Sequence, residues 1–311
     1  MRIIVSGSIA YDRIMDFRGR FKDHIIPTKL HILNVSFYIQ QLRQSYGGTA
    51  GNIAYNLAGL GEKPILVATH GNDFGEYANW CRKNKIITQY SKKVSNQPTS
   101  TVYIITDLDD NQIAGFFPGA MLKSNGRLDA KMLKHSSYAI VSPGNLKDMM
   151  EYPKFLKKAQ VPFIFDPGQQ ITSLSKTSLL SGLTLADIFI SNDYEYQMVK
   201  KKTKLNDRTF LKKAGVIITT KGGHGSVIKT KNNIYKIPAA KPQKIKDPTG
   251  AGDAYRAGIL KGLAMGLGWE QTGRLAATVA VYAVEKYGTQ AHKLSWQKVR
   301  KRYRQNFKDT V

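Results

Sequence analysis

Asp247-Pro248-Thr249-Gly250-Ala251-Gly252-Asp253-Ala254 follows a strand-like stretch at 233–237 and runs into a long helix-period segment, Gly252–Leu267, with Ala254, Ala257, Leu260 and Ala264 on one stripe. Small residues at a helix start let phosphate oxygens approach bare backbone N–H groups, where the helix dipole also favours negative charge. Asp253 then lies beside that anion-binding turn. A carboxylate there is poorly placed to bind phosphate and well placed to take a proton from a hydroxyl attacking phosphorus. The same residues also suit an ordinary Gly-rich turn with Asp253 as a helix cap, and the motif alone leaves the two readings level.

Outward from this segment, short β-rich runs at Pro64–Ala68, Tyr138–Val141, Phe163–Asp166, Ile188–Ser191 and Val216–Thr220 alternate with helix-period stretches. Ala50–Leu60 and Gln271–Tyr287 are the clearest of those helices besides Gly252–Leu267. The rhythm predicts an α/β fold with a mostly parallel sheet flanked by helices. Residues 11–45 and 99–117 break it with extended, partly polar stretches around the turn Asp107-Leu108-Asp109-Asp110-Asn111. They are expected to form a small β lid on a core of residues 1–10, 46–98 and 118–311, at the sheet edge where open α/β folds bind ligands.

Other polar clusters fall at strand ends. Gly47-Gly48-Thr49-Ala50-Gly51-Asn52 opens a helix; Asn52 there can bond vicinal hydroxyls, although close helix–sheet packing with an Asn cap fits the local sequence somewhat better. Asn192-Asp193-Tyr194-Glu195 spaces two oxygen ligands for a hydrated Mg²⁺, yet reads locally as an Asn-initiated capping box. Asp166-Pro167-Gly168-Gln169-Gln170 and Thr220-Lys221-Gly222-Gly223-His224-Gly225 present amides, a lysine and backbone N–H groups, or are mere turns. A single crevice at the carboxyl ends of parallel strands is expected to collect them.

Composition bounds the remaining choices. The 311 residues are 42% hydrophobic and carry 47 Lys+Arg against 22 Asp+Glu, a net +25 that attracts nucleotides, nucleic acid or anionic lipid. Cys81 is the single cysteine, which excludes an intramolecular disulfide or a four-cysteine zinc site and fits a reducing, cytoplasmic setting. No apolar run approaches membrane-helix length, so a soluble protein is expected. The chain has no Gly-Lys dipeptide, no G-x-G-x-x-G after its first strand and no G-x-S-x-G, which removes a P-loop, a dinucleotide fold and a serine-hydrolase elbow.

With these residues in this order, the chain resembles the ribokinase or PfkB-type family of sugar and nucleoside kinases. The likeness rests on Gly47-Gly48 through Asn52, on Asn192–Glu195, and on Asp247 through Asp253. Within that family it is most similar to the bacterial adenosine kinases, through Gly7-Ser8-Ile9-Ala10 with Asp12, Gly19-Arg20-Phe21, Ser36-Phe37, Phe116-Phe117-Pro118-Gly119-Ala120-Met121, Gln169-Gln170 and Gly288-Thr289-Gln290. The resemblance implies a ribokinase-like fold and ATP-dependent transfer to a nucleoside 5′-hydroxyl, adenosine first. It implies Asp253 as catalytic base with an anion hole from Gly250, Ala251 and Gly252, and Asp12, Gly48 and Asn52 on the ribose. Ser8, Ser36, Phe116, Gln169 and Gln170 would surround the nucleoside, with Phe116 stacking on the base. Asn192, Thr220, Lys221, Gly222 and Gly225 would face the nucleotide, and Asn192 with Glu195 would organise Mg²⁺ through water. K⁺ is a further cofactor it admits, and a homodimer through the lid a further assembly. Val102 stands where a second lid aromatic is expected, a departure that bears on nucleobase selectivity.

Two alternatives remain at this stage. A PfkB-type sugar kinase acting on ribose, fructose or a phosphosugar needs no aromatic platform such as Phe116. A basic nucleic-acid-binding protein on a kinase-like fold would use the lysine clusters at 157–158, 200–202 and 212–213 and the tail at 300–304. Their scatter, without a finger or helix-turn-helix, reads more simply as solvated helix faces.

Overall fold

The computed structural model describes residues 1–311. In chain order, β1 (Arg2–Ser6), β2 (Ala10–Asp16) and β3 (Gln41–Gly47) lead into α1 (Thr49–Gly59), β4 (Lys63–Val67), β5 (Thr69–His70) and α2 (Gly75–Lys83). There follow β6 (Lys92–Lys93), β7 (Ser100–Thr106), β8 (Gln112–Phe117), α3 (Ala130–Lys134), β9 (Tyr138–Val141), α4 (Leu146–Lys158), β10 (Phe163–Phe165) and α5 (Lys176–Leu185). The chain closes with β11 (Ile188–Asn192), α6 (Asp193–Thr203), α7 (Asp207–Ala214), β12 (Val216–Thr220), β13 (Ser226–Lys229), β14 (Ile234–Ile237), α8 (Ala251–Ala264), α9 (Trp269–Val284) and α10 (Trp296–Phe307).

Eight strands form the main sheet in the order β14-β13-β12-β11-β10-β9-β1-β4. From β4 to β12 all pairings are parallel, while β13 and β14 add an antiparallel edge. Both faces are covered, so the strands are nearly continuous apolar runs rather than alternating ones. Ile3 and Val5 point into a core shared with α1, α8 and α9, and Ile4 into a second core with Met149 of α4 and Leu179 of α5. Gly258 brings α8 tightly against α9: a Cβ there would lie 2.4 Å from the Ala276 Cα.

A four-stranded sheet, ordered β3-β2-β7-β8, projects from this core. Of the two extended stretches that form this lid, only the second is a tight hairpin, with β7 and β8 joined at the Asp107 turn. Its Asp107 carboxylate accepts from the backbone N–H groups of Asp109 and Asn111, and from Phe21 N–H across the lid. β2 and β3 are antiparallel but joined by 17–40, which folds into short 3₁₀ turns at Phe21–Asp23 and Pro27–Ile32. Register puts Ser45, Asp12, Val102 and Phe116 in one cross-strand row, facing the core, and Leu42, Met15, Ile105 and Ile113 in a row on the opposite face. No helix of the chain is long and apolar enough to cross a membrane.

Candidate active site

Parallel strands deliver their carboxyl ends to one edge, and β1 lies where the strand order reverses, with β4 on one side and β9 on the other. A cleft of about 700 Å³ opens at that edge beneath the projecting sheet. Along it lie Thr220 at the end of β12, Asn192 at the end of β11, Asp166, Gln169 and Gln170 after β10, Pro143 after β9 and Ser8 after β1. Asp12, Val102 and Phe116 close it from the lid, and Gly48, Asn52, Gly252 and Asp253 from the starts of α1 and α8.

The start of α8 is held open by its own loop. Gly250 adopts φ 79°, a left-handed conformation that suits glycine, and lies against Thr289. Asp247 accepts from Thr249 N–H (2.9 Å) and from Gly288 N–H (3.1 Å), pinning the loop at both ends. Ala251 N–H is bonded to Pro248, whereas the Gly252 and Asp253 N–H groups have no acceptor within the protein. They are the unpaired donors of a helix's first turn and present a positive end to the cleft.

Asp253 accepts a hydrogen bond from Asn52 Nδ2 at 2.8 Å. Burial pushes its carboxyl up to about 6; Arg256 and the Asn52 bond hold it down, and Asp166 and Glu195 raise it. Asp12 is likewise pushed up to about 6, by burial and then by the charges of Asp253 and Asp247. Two carboxyls raised in this way at one cleft mark a site of proton chemistry.

Asn192 and Glu195 form a complete capping box: Asn192 Oδ1 accepts from Glu195 N–H at 2.7 Å and Glu195 Oε2 from Asn192 N–H at 2.9 Å. Both side chains nevertheless line the cleft, and burial raises the Glu195 carboxyl. Ser8 Oγ accepts from Thr49 N–H at 3.0 Å and thereby caps α1. Gln170 Nε2 donates to Gly144 O at 3.1 Å, leaving Gln169 the freer of the two amides.

Not every residue singled out in the sequence is gathered here. Ser36 lies on the exposed segment between the second 3₁₀ turn and β3, outside the cleft, because 17–40 packs on the aromatic group Phe17, Phe21 and Phe37 at the far end of the lid. Lys221, Gly222 and Gly225 belong to a tight turn after β12 closed by Lys221 N–H to Gly225 O (2.8 Å), and only Thr220 of that group lines the cleft. Gly250 and Ala251 shape the loop without lining it.

Arg256 is a cleft residue that the sequence reading passed over, and its partner Asp166 stood there only as the start of a possible turn. Arg256 Nε and Nη2 grip Asp166 at 2.5 and 2.8 Å in a buried two-pronged pair, with no exposure of the Asp166 side chain. Burial opposes the Arg256 charge, but Asp166 beside it holds the guanidinium protonated. The available signal was spacing, since Arg256 follows Asp253 by three positions and so shares its helix face. The lining thus carries four acids, Asp12, Asp166, Glu195 and Asp253, against one paired arginine, although the whole chain is at +25.

An anion-receptive helix start, a carboxylate beside it and a covering β sheet suit transfer of a phosphoryl group to a hydroxyl. Residues 9–296 match the family model described as pfkB family carbohydrate kinase, and the chain belongs to that family. It is 32% identical over 279 residues to a nucleoside kinase of Methanocaldococcus jannaschii, covering 86% of this chain and 88% of that one. The nucleoside kinase of Burkholderia thailandensis in complex with inosine superposes with a TM-score of 0.86 at 33% identity, covering 100% of this chain and 99% of that chain. The same protein in complex with ADP-inosine gives 0.84 at 34% identity, covering 100% and 97%. A ribokinase of Thermotoga maritima, 21% identical with a TM-score of 0.82 over 98% and 99% of the two chains, shares the ribokinase-like fold.

Proposed function

We propose that this chain is a nucleoside kinase that transfers the γ-phosphoryl group of ATP to the 5′-hydroxyl of a purine nucleoside, adenosine foremost. One observation carries the reading: Asp253 stands at the open first turn of α8, facing a cleft that Phe116 and Asp12 close from the lid. The Methanocaldococcus jannaschii relative is a nucleoside kinase and the Burkholderia thailandensis nucleoside kinase is seen in complex with inosine and with ADP-inosine, which supports the same substrate class.

In this reading Asp12, Gly48 and Asn52 orient the ribose, and Phe116 offers its ring face to the base. Asp253 takes the 5′-hydroxyl proton as that oxygen bonds to the γ-phosphorus. The bond to the β,γ-bridging oxygen breaks, its electron pair leaving with ADP. The Gly252 and Asp253 N–H groups meet the charge on the transferred oxygens. Four carboxylates against one engaged guanidinium leave the cleft short of positive charge for a triphosphate, which suits a divalent cation. Asn192 and Glu195 keep side-chain oxygen capacity beyond their capping bonds and would hold Mg²⁺ through its water shell. When bound, that ion offsets phosphate charge.

A coupled ADP-release assay with ATP and Mg²⁺ across adenosine, inosine, guanosine, cytidine, ribose and fructose tests the proposal. Preference for the purine nucleosides is expected; preference for ribose or fructose would replace it with a sugar kinase. Repeating the assay with K⁺ exchanged for tetramethylammonium measures the monovalent-cation requirement. Phe116→Ala is expected to raise the nucleoside KM about 5–100-fold while sparing any turnover of free ribose, the range one base–aromatic stack covers. An unchanged KM would remove Phe116 from the pocket.

The pH dependence has a fixed sign. A base raised to about 6 is ionised at neutral pH and lost as the pH falls through that value, so kcat/KM should decline below pH 6. Asp12 titrates in the same range, and the limb reports the pair. A profile flat down to about pH 4.5 would contradict the assignment.

The row Leu42, Met15, Ile105 and Ile113 lays apolar side chains on the outer lid face, with Leu42 and Ile113 exposed. A second copy of the chain is the proposed cover, giving a homodimer through the lid. Sedimentation as a monomer at micromolar concentration would rule this out. The single buried Cys81 is in keeping with a cytoplasmic setting.

A further inference from the structure

We propose that Gln290 is a positioning residue for the phosphoryl transfer: it fixes which way the Asn52 amide faces, and so keeps an N–H rather than an oxygen on Asp253. The geometry determines each orientation in turn. The Trp80 indole has a donor and no acceptor, and its Nε1 lies 2.8 Å from Gln290 Oε1, so that atom must be the amide oxygen. Gln290 Nε2 then supplies both its hydrogens, one to Asn52 Oδ1 at 3.0 Å and one to Tyr77 Oη at 2.8 Å. With its oxygen engaged, Asn52 turns Nδ2 toward Asp253 at 2.8 Å. Tyr77 passes its own proton to Gly47 O at 2.7 Å, where the lid strand β3 meets α1.

Gln290 is buried and makes no contact with the cleft, so its influence on the chemistry runs through Asn52. A flipped Asn52 would aim its carbonyl oxygen at the Asp253 carboxylate, displacing the base and the hydroxyl it serves. A buried amide with both hydrogens and an oxygen lone pair committed has no low-cost alternative arrangement.

This inference rests on Asp253 being the base, and the test separates the two. Gln290→Glu keeps shape and the Trp80 bond but replaces the donor to Asn52 with an acceptor, which favours the flipped Asn52 amide. Turnover should fall about 10–100-fold, with the nucleoside KM within about threefold of the parent, as losses of a supporting shell do. In an Asn52→Ala background the same change should cost less than about twofold, because its route of action is gone. Gln290→Met, which carries no new charge, should give a smaller kcat loss that Asn52→Ala likewise abolishes, and it serves if the glutamate variant does not fold. Equal losses in both backgrounds, or a loss confined to KM, would overturn the proposal. Asp253→Asn measured alongside isolates the other premise: if it retains turnover, the base assignment fails whatever the Gln290 cycle shows.

Discussion

Asp253→Asn lowers kcat about 10²–10⁴-fold and leaves the nucleoside KM nearly unchanged, the loss expected when a general base is removed and binding groups are kept. The substitution is close to isosteric, and the new amide oxygen can still accept from Asn52 Nδ2, so the neighbouring network survives. The Gly252 N–H and the N–H of residue 253 belong to the backbone and remain in place. What disappears is the capacity to take a proton at neutral pH. Turnover within about fivefold of the parent would remove the carboxylate from the chemistry and leave it as a structural acceptor of the Asn52 amide.

Arg256→Met should carry the largest cost in stability, about 3–5 kcal/mol by urea unfolding, because it strands the Asp166 carboxylate, fully buried, without a partner. Asp166→Asn in the same chain should recover more than half of that, since an amide needs no counter-charge. Removing Arg256 also takes away the guanidinium charge that holds the Asp253 carboxyl down, so the acidic limb of kcat/KM should move above pH 6 in whatever protein remains folded. A variant as stable as the parent would mean that the buried Asp166–Arg256 pair adds nothing to the stability of the fold.

The architecture was legible because its signals are local. Apolar runs such as Tyr138–Val141 and Val216–Thr220 are strands with those same bounds, and the helix after Gly250 begins within a residue of the expected start. The Asn192–Glu195 capping box was equally readable, being contained in four residues. Long-range partnerships were not. Asn52 meets Asp253 across 201 positions, Arg256 meets Asp166 across 90, and Gln290 meets Asn52 across 238, and nothing in the neighbouring residues of each announces its partner. Ser36 shows the converse: its motif suggested a place around the nucleoside, but the Phe17, Phe21 and Phe37 cluster draws that segment to the lid's outer end. The acidity of the cleft was hidden for a related reason, since a net charge of +25 describes the surface and says nothing of which side chains converge at one sheet edge.

The claim that this cleft phosphorylates a nucleoside at its 5′-oxygen is tested most directly by the identity of the product. Incubation of the purified chain with ATP, Mg²⁺ and adenosine or inosine, followed by ³¹P NMR, should reveal a monophosphate resonance split by the two 5′ methylene protons, formed in step with ADP. A phosphate coupled to a single ribose proton, or ADP formed only when free ribose or fructose replaces the nucleoside, would contradict it.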